Sequence, residues 1–200
     1  MMKVILVHGI FDTGKSMRRL AGALEEEGHQ CWCPNLAPND GSVGLEVLAK
    51  LLAVLVSEVV EEGELFVLVG FSMGALVSRI YLQELGGAER VRDFFSISGP
   101  HSGSLMAWFG RGNGARELRP GSELLRRLEG GVARLKEVEV VCYWTPFDLM
   151  VFPARSALFG EVGERVLVWA LAHPLMLKSG RLRRDLVVRI GVVRIGVVEG

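Results

Sequence analysis

Ser72 stands in Gly70-Phe71-Ser72-Met73-Gly74, directly after the apolar run Leu65 to Val69 and before a stretch of helical periodicity. A serine hydroxyl is a weak nucleophile at neutral pH. It becomes useful only where a base takes its proton and an acceptor holds that base in the right tautomer. Glycines on either side, lacking Cβ atoms, let a strand and a helix close around a sharp turn that leaves the hydroxyl exposed. In that arrangement an acid and then a histidine follow the serine, each just beyond a strand. Asp148, in Pro146-Phe147-Asp148, and His173, before Pro174, meet this order, and no other histidine follows Asp148. Each has a plainer reading: Ser72 as a turn residue, Asp148 as a cap or turn former, His173 as a loop histidine. Their shared order and strand-end placement favour Ser72 as nucleophile, His173 as general base and Asp148 as the acid that orients it.

Such chemistry also needs two N–H donors aimed at the oxygen that gains charge. His8-Gly9 follows the first apolar run, so the backbones of Ile10 and Met73 are the expected donors, with His8 structural. His101 is the rival base. It precedes Asp148, within the turn-rich Pro100-His101-Ser102-Gly103-Ser104, and is read as structural. Phe11, Leu105, Met106, Trp108, Phe109 and Leu149 are the candidate substrate-pocket residues. The segment Ser102 to Gly131 is either an apolar lid hinged at Gly110 to Gly114 or a surface loop pinned by buried aromatics.

The elements that must position these groups alternate along the chain. Strands are expected at Lys3–Val7, His29–Cys33, Leu65–Val69, Asp93–Ser98, Glu137–Trp144 and Arg165–Ala172. Helices are expected at Ser16–Glu27, Leu45–Glu61, Met73–Leu85, Ser122–Leu128 and Arg181–Ile190. Near-continuous apolar strands alternating with helices predict a compact α/β fold, a mostly parallel sheet of about six strands flanked by helices. In such sheets ligands bind beyond the carboxyl ends of the strands. Residues 1–190 are read as one domain and 191–200 as a tail, where Arg-Ile-Gly-Val-Val occurs twice in succession and is assigned no chemistry.

The chain has 200 residues, half of them apolar, with Lys+Arg and Asp+Glu balanced at 23 each. This balance gives no electrostatic case for nucleic acid or for an anionic membrane. The apolar run Val4–Val7 is too short for a signal peptide, and Val166–Leu177 is too short to span a bilayer. A cytoplasmic protein without a stable membrane anchor is expected. Leu45–Glu61 carries Glu46, Lys50 and Glu58 and reads as a mostly buried amphipathic helix. Cys31, Cys33 and Cys142 lack the second pair or nearby histidines of a zinc site, so reduced thiols and no metal are expected.

One competing motif stands. Gly9-Ile-Phe-Asp-Thr-Gly14-Lys15-Ser16 fits G-x-x-x-x-G-K-[ST], the phosphate-cradling loop, between a strand and a helix. It would make the chain a nucleotide binder, but no apolar strand ends in an Asp suited to hold Mg²⁺, and Ser72, Asp148 and His173 stay unexplained.

Several stretches together resemble a small bacterial lipase or esterase of the α/β-hydrolase superfamily. They are VILVHGIFD, VGFSMGALVSR, SGPHSGS, RPGSELLRRL and WTPFDLMV, with His173 after the last strand. The resemblance covers most of residues 3 to 190. It implies a Ser-Asp-His triad at Ser72, Asp148 and His173, hydrolysis of a small-molecule ester or lipid substrate, and no cofactor. Ser102 departs from the pattern, since relatives often carry Arg there. The same triad would also serve an acyltransferase or a thioesterase.

Overall fold

The computed structural model describes residues 1–160 and 162–191. Six strands form one sheet in the order β2-β1-β3-β4-β5-β6. They are β1 (Lys3–Val7), β2 (Gln30–Trp32), β3 (Phe66–Phe71), β4 (Val91–Ile97), β5 (Glu139–Trp144) and β6 (Glu164–Leu167), and every pairing is parallel. Alternate side chains explain why the sheet is covered on both faces. Ile5 and Val7 of β1 enter one apolar core while Val4 and Leu6 enter the other. β3, at the centre, is buried at every position.

The first core packs under α2 (Leu45–Val59), α3 (Met73–Glu84) and α5 (Glu123–Gly130); the second packs under α1 (Arg18–Glu26) and α6 (Gly180–Gly191). Burying each Leu or Phe so placed contributes about 1.5–3 kcal/mol. α3 is buried from Met73 to Gln83, including Arg79, whose guanidinium lies 4.1 Å above the Phe159 ring and donates to Gln83 Oε1 and Glu129 Oε2.

Three details differ from the sequence reading. α2 is not mostly buried: Leu45, Leu48, Ala49, Leu52 and Val56 are buried, but Val47, Leu51 and Val54 on the outer side are exposed, since among the described residues none covers that side. The last strand stops at Leu167 rather than Ala172. Val168 N still reaches Trp144 O, but Thr145 Oγ1 then takes the Ala170 carbonyl and turns the chain away. A further short helix, α4 (Asn113–Glu117), lies within the segment read as lid or loop. Apart from Gly191, which closes α6, the 191–200 tail lies outside the described residues.

The strand order reverses between β1 and β3, so the loops leaving their carboxyl ends face each other across a crevice. That is where open α/β sheets place their ligands.

Candidate active site

Ser72 ends β3 and starts α3 with φ 54° and ψ −124°. A non-glycine residue in that region stores about 1–3 kcal/mol of strain and persists only where its surroundings impose it. They do. Ser72 N donates to Ile97 O at 2.9 Å, tying the turn to β4. A Cβ on Gly70 would meet Ala75 Cα at 2.6 Å, and one on Gly74 would meet His8 O at 2.4 Å. The helix start is therefore seated directly on the end of β1.

Asp148 and His173 are delivered by the loops after β5 and β6. His173 Nδ1 lies 2.7 Å from Asp148 Oδ2, both side chains almost fully buried. The other carboxylate oxygen, Oδ1, accepts the N–H groups of Met150 and Val151. One carboxylate oxygen thus serves the turn and the other faces the His173 ring. Burial by itself would raise the Asp148 carboxyl; the hydrogen bond and charge of His173 with the Val151 N–H outweigh it and hold the group below the usual carboxylate range. A carboxylate acceptor fixes the proton on Nδ1 and leaves Nε2 as the basic nitrogen. Nε2 is buried and has no hydrogen-bond partner among the described residues. The His173 ring packs 4.7 Å from that of Phe71, the residue just before Ser72. In ligand-free sites the bond from serine to histidine is often long and tightens around substrate.

Ile10 and Met73, the first residue of α3, line the same cavity as Ser72. An N-terminal helical N–H has no partner within its helix. His8 sets the Ile10 side. Its Nε2 accepts Leu36 N at 3.0 Å, so the proton sits on Nδ1, which lies 2.9 Å from Gly9 O. Both ring nitrogens are thereby engaged with backbone. His101 lies elsewhere: Nε2 is 2.7 Å from Ser96 Oγ and the ring stands edge-on to Phe159. Burial, aided by Arg79, pushes its pKa well below the ordinary histidine value.

A cavity of about 350 Å³ opens beside Ser72. Of the expected pocket residues, Phe11, Met106 and Phe109 line it; Leu105, Trp108 and Leu149 do not. Trp108 instead lies under the Arg119 guanidinium at 4.5 Å, and Leu149 points to solvent. The wall also includes Ile10, Ala107, Leu118, Met150 and Val151, contributed by different loops. Ser104 ties two sides of it: its hydroxyl donates to Met150 O and accepts from Met106 N and Phe152 N. The stretch 110–114 is anchored rather than free, with Asn113 N on Ser42 O and Ala115 N on Gly41 O. A Cβ on Gly112 would lie 2.4 Å from Gly41 O, so this glycine serves close approach.

The phosphate-cradling alternative finds no cradle. Phe11 N donates to Asn39 O, Thr13 N to Asp12 Oδ1, Gly14 N to Asn35 Oδ1 and Ser16 N to Thr13 O. A phosphate loop needs those N–H groups free and pointing inward. Among the described residues no helix is long and apolar enough to cross a membrane.

A six-stranded parallel sheet with a strained serine turn between its central strand and a buried helix defines an α/β hydrolase. The chain belongs to the palmitoyl protein thioesterase family, whose model matches residues 3–111. That match includes Ser72 and the loop after β1 and ends before Asp148 and His173. Solved structures show the same fold at low identity. Lipase B of Aspergillus fumigatus superposes with a TM-score of 0.76 at 17% identity over 88% of this chain, which spans 49% of that protein. The mature Bacillus licheniformis lipase BlEst2 gives 0.75 at 14% identity, covering 96% of this chain and 92% of its own. A pyrethroid hydrolase from Sphingobium faniae JZ-2 gives 0.62 at 17% identity, covering 92% and 95%. No curated protein matches the chain.

Proposed function

We propose that the protein is a serine hydrolase that cleaves carboxylic esters through an acyl-enzyme. The observation that carries this reading is the buried His173–Asp148 pair at 2.7 Å, whose Nε2 has no hydrogen-bond partner among the described residues and whose ring packs on Phe71, the residue before Ser72. Ser72 Oγ attacks the ester carbonyl as His173 Nε2 takes its proton. Asp148 holds the ring and stabilises the imidazolium. The N–H groups of Ile10 and Met73 receive the oxyanion; one such donor is worth roughly 3–4 kcal/mol of barrier in other enzymes. His173 then protonates the departing alcohol, and a water deprotonated by His173 releases the acid. The apolar wall beside Ser72 suits an acyl chain.

Family membership favours a second reading at the same site, in which the leaving group is a thiol. Labelling with a fluorophosphonate, wild type beside Ser72→Ala, tests the nucleophile; label found on Ser72 by mass spectrometry supports it. A folded wild-type protein that takes no label removes the proposal. Matched oxygen esters and thioesters of one acyl chain, compared by kcat/KM, then separate the two leaving groups.

A further inference from the structure

Most of the large apolar side chains that reach solvent are gathered on one end of the molecule. They sit on the loops leaving the carboxyl ends of β1, β4, β5 and β6. Phe11 and Phe109, at the cavity, are 76% and 82% exposed; Leu149 and Leu171 are 74% and 77% exposed. The loops are knit into one surface. Leu105 N donates to Phe152 O at 2.8 Å, and the Phe147 and Trp169 rings pack at 5.9 Å. An apolar surface of this extent on a folded chain marks an interaction face.

Charge identifies its partner. Within residues 101–116, 146–158 and 168–179 the exposed ionisable side chains apart from histidine are Arg111, Arg116, Arg155 and Lys178. The one carboxylate there, Asp148, is buried against His173, and Asp12, beside Phe11 on the loop after β1, is half-buried and accepts from Thr13 N. None of the four cations has an ion-pair partner among the described residues. Tryptophan and aliphatic side chains on loops whose exposed charged side chains are cations, with Asp12 of the β1 loop half-buried, match the boundary between the headgroups and acyl chains of an anionic bilayer. The balanced overall charge conceals this local excess. We infer that this face docks the protein, reversibly, on anionic lipid surfaces, with the cavity mouth turned toward the bilayer.

Co-sedimentation with vesicles tests it, and reads binding without turnover, so its outcome is independent of the esterase reading. The probes are phosphatidylcholine vesicles with and without roughly one third phosphatidylglycerol. Wild type is expected to sediment with the anionic vesicles, and roughly 0.5 M NaCl, by screening, to weaken that binding. Arg111→Glu with Arg155→Glu is expected to lower binding to anionic vesicles about tenfold or more. Trp169→Ser with Leu171→Ser, both outside the cavity lining, is expected to abolish it while the protein stays folded and labelling of Ser72 stays as in wild type. A monodisperse wild type that stays in the supernatant, or binding indifferent to both double variants, overturns the inference. So does a wild-type dimer that Trp169→Ser with Leu171→Ser dissociates without any vesicle binding, which would make the face a contact between copies.

Discussion

Ser104, beyond β4, holds Met150, beyond β5, through a single hydroxyl: Oγ donates to Met150 O at 2.7 Å. The same oxygen accepts Met106 N and Phe152 N, so one small side chain joins the two loops that wall the cavity. Ser104→Ala leaves the Met150 carbonyl and two N–H groups without that partner, a loss of roughly 1–3 kcal/mol. For a chain of this size that lowers the melting temperature by about 2–4 °C for each kcal/mol. KM for an acyl ester is expected to rise more than kcat falls, because the wall moves and the Asp148–His173 pair does not. Steady-state kinetics with one ester series checks the split.

Asp148→Asn replaces an acceptor with a group that can present N–H to His173 Nδ1. The ring then favours the tautomer with its proton on Nε2, which cannot accept the Ser72 proton. Turnover is expected to drop by roughly 10⁴-fold, the size of the corresponding change in a serine protease. The variant should fold, since its Oδ1 still accepts Met150 and Val151 N–H. A fall of less than tenfold would remove Asp148 from the mechanism.

Ser72→Gly and Ser72→Ala both remove the Ser72 hydroxyl but differ in backbone freedom. Glycine adopts φ 54°, ψ −124° with little strain, whereas alanine keeps it. Ser72→Gly is expected to melt a few degrees above Ser72→Ala, since about 1–3 kcal/mol of strain exceeds the roughly 0.5–1 kcal/mol entropic cost of a glycine. Equal melting temperatures would mean the turn is not strained.

His101 yields a pH signature. Its folded-state pKa lies well below the ordinary histidine value, so as pH falls the unfolded chain takes up that proton first. Its contribution to stability is therefore complete above the unfolded pKa of roughly 6.5 and declines below it, by up to about 1.4 kcal/mol per pH unit, until the folded pKa is reached. His101→Gln should flatten that slope in urea titrations between about pH 6.5 and pH 5. It should also still take the fluorophosphonate label, unlike a variant lacking the general base.

The sheet was legible in the chain because each strand is a short apolar run closed by a turn or a helix start, as Leu65 to Gly70 illustrates. The end of β6 was not. Val166, Val168 and Ala170 alternate with Leu167, Trp169 and Leu171 as a strand would, yet Thr145 Oγ1 takes the Ala170 carbonyl and ends the pairing. Local pattern cannot register a hydrogen bond from 25 residues away. The placement of Ser72, Asp148 and His173 beyond β3, β5 and β6 was readable because each follows an apolar run. Leu118, Met150 and Val151 were harder to assign to the cavity, since an apolar residue looks alike whether it fills a core or lines a wall. Trp108 and Leu149 misled for the same reason. The charge balance of the whole chain likewise said nothing about how Arg111, Arg155 and Lys178 are grouped.

β6 is four residues long, sits at the edge of the sheet and pairs only with β5, and the chain leaving it carries His173. A short edge strand is the part of a sheet that opens at least cost. His173 thus hangs from a short edge strand of the sheet, while Ser72 is anchored beside its centre. Loss of turnover in rising urea should then run ahead of loss of helical signal. The enzyme would switch off as a local event, with the nucleophile still in place and the histidine gone from its side.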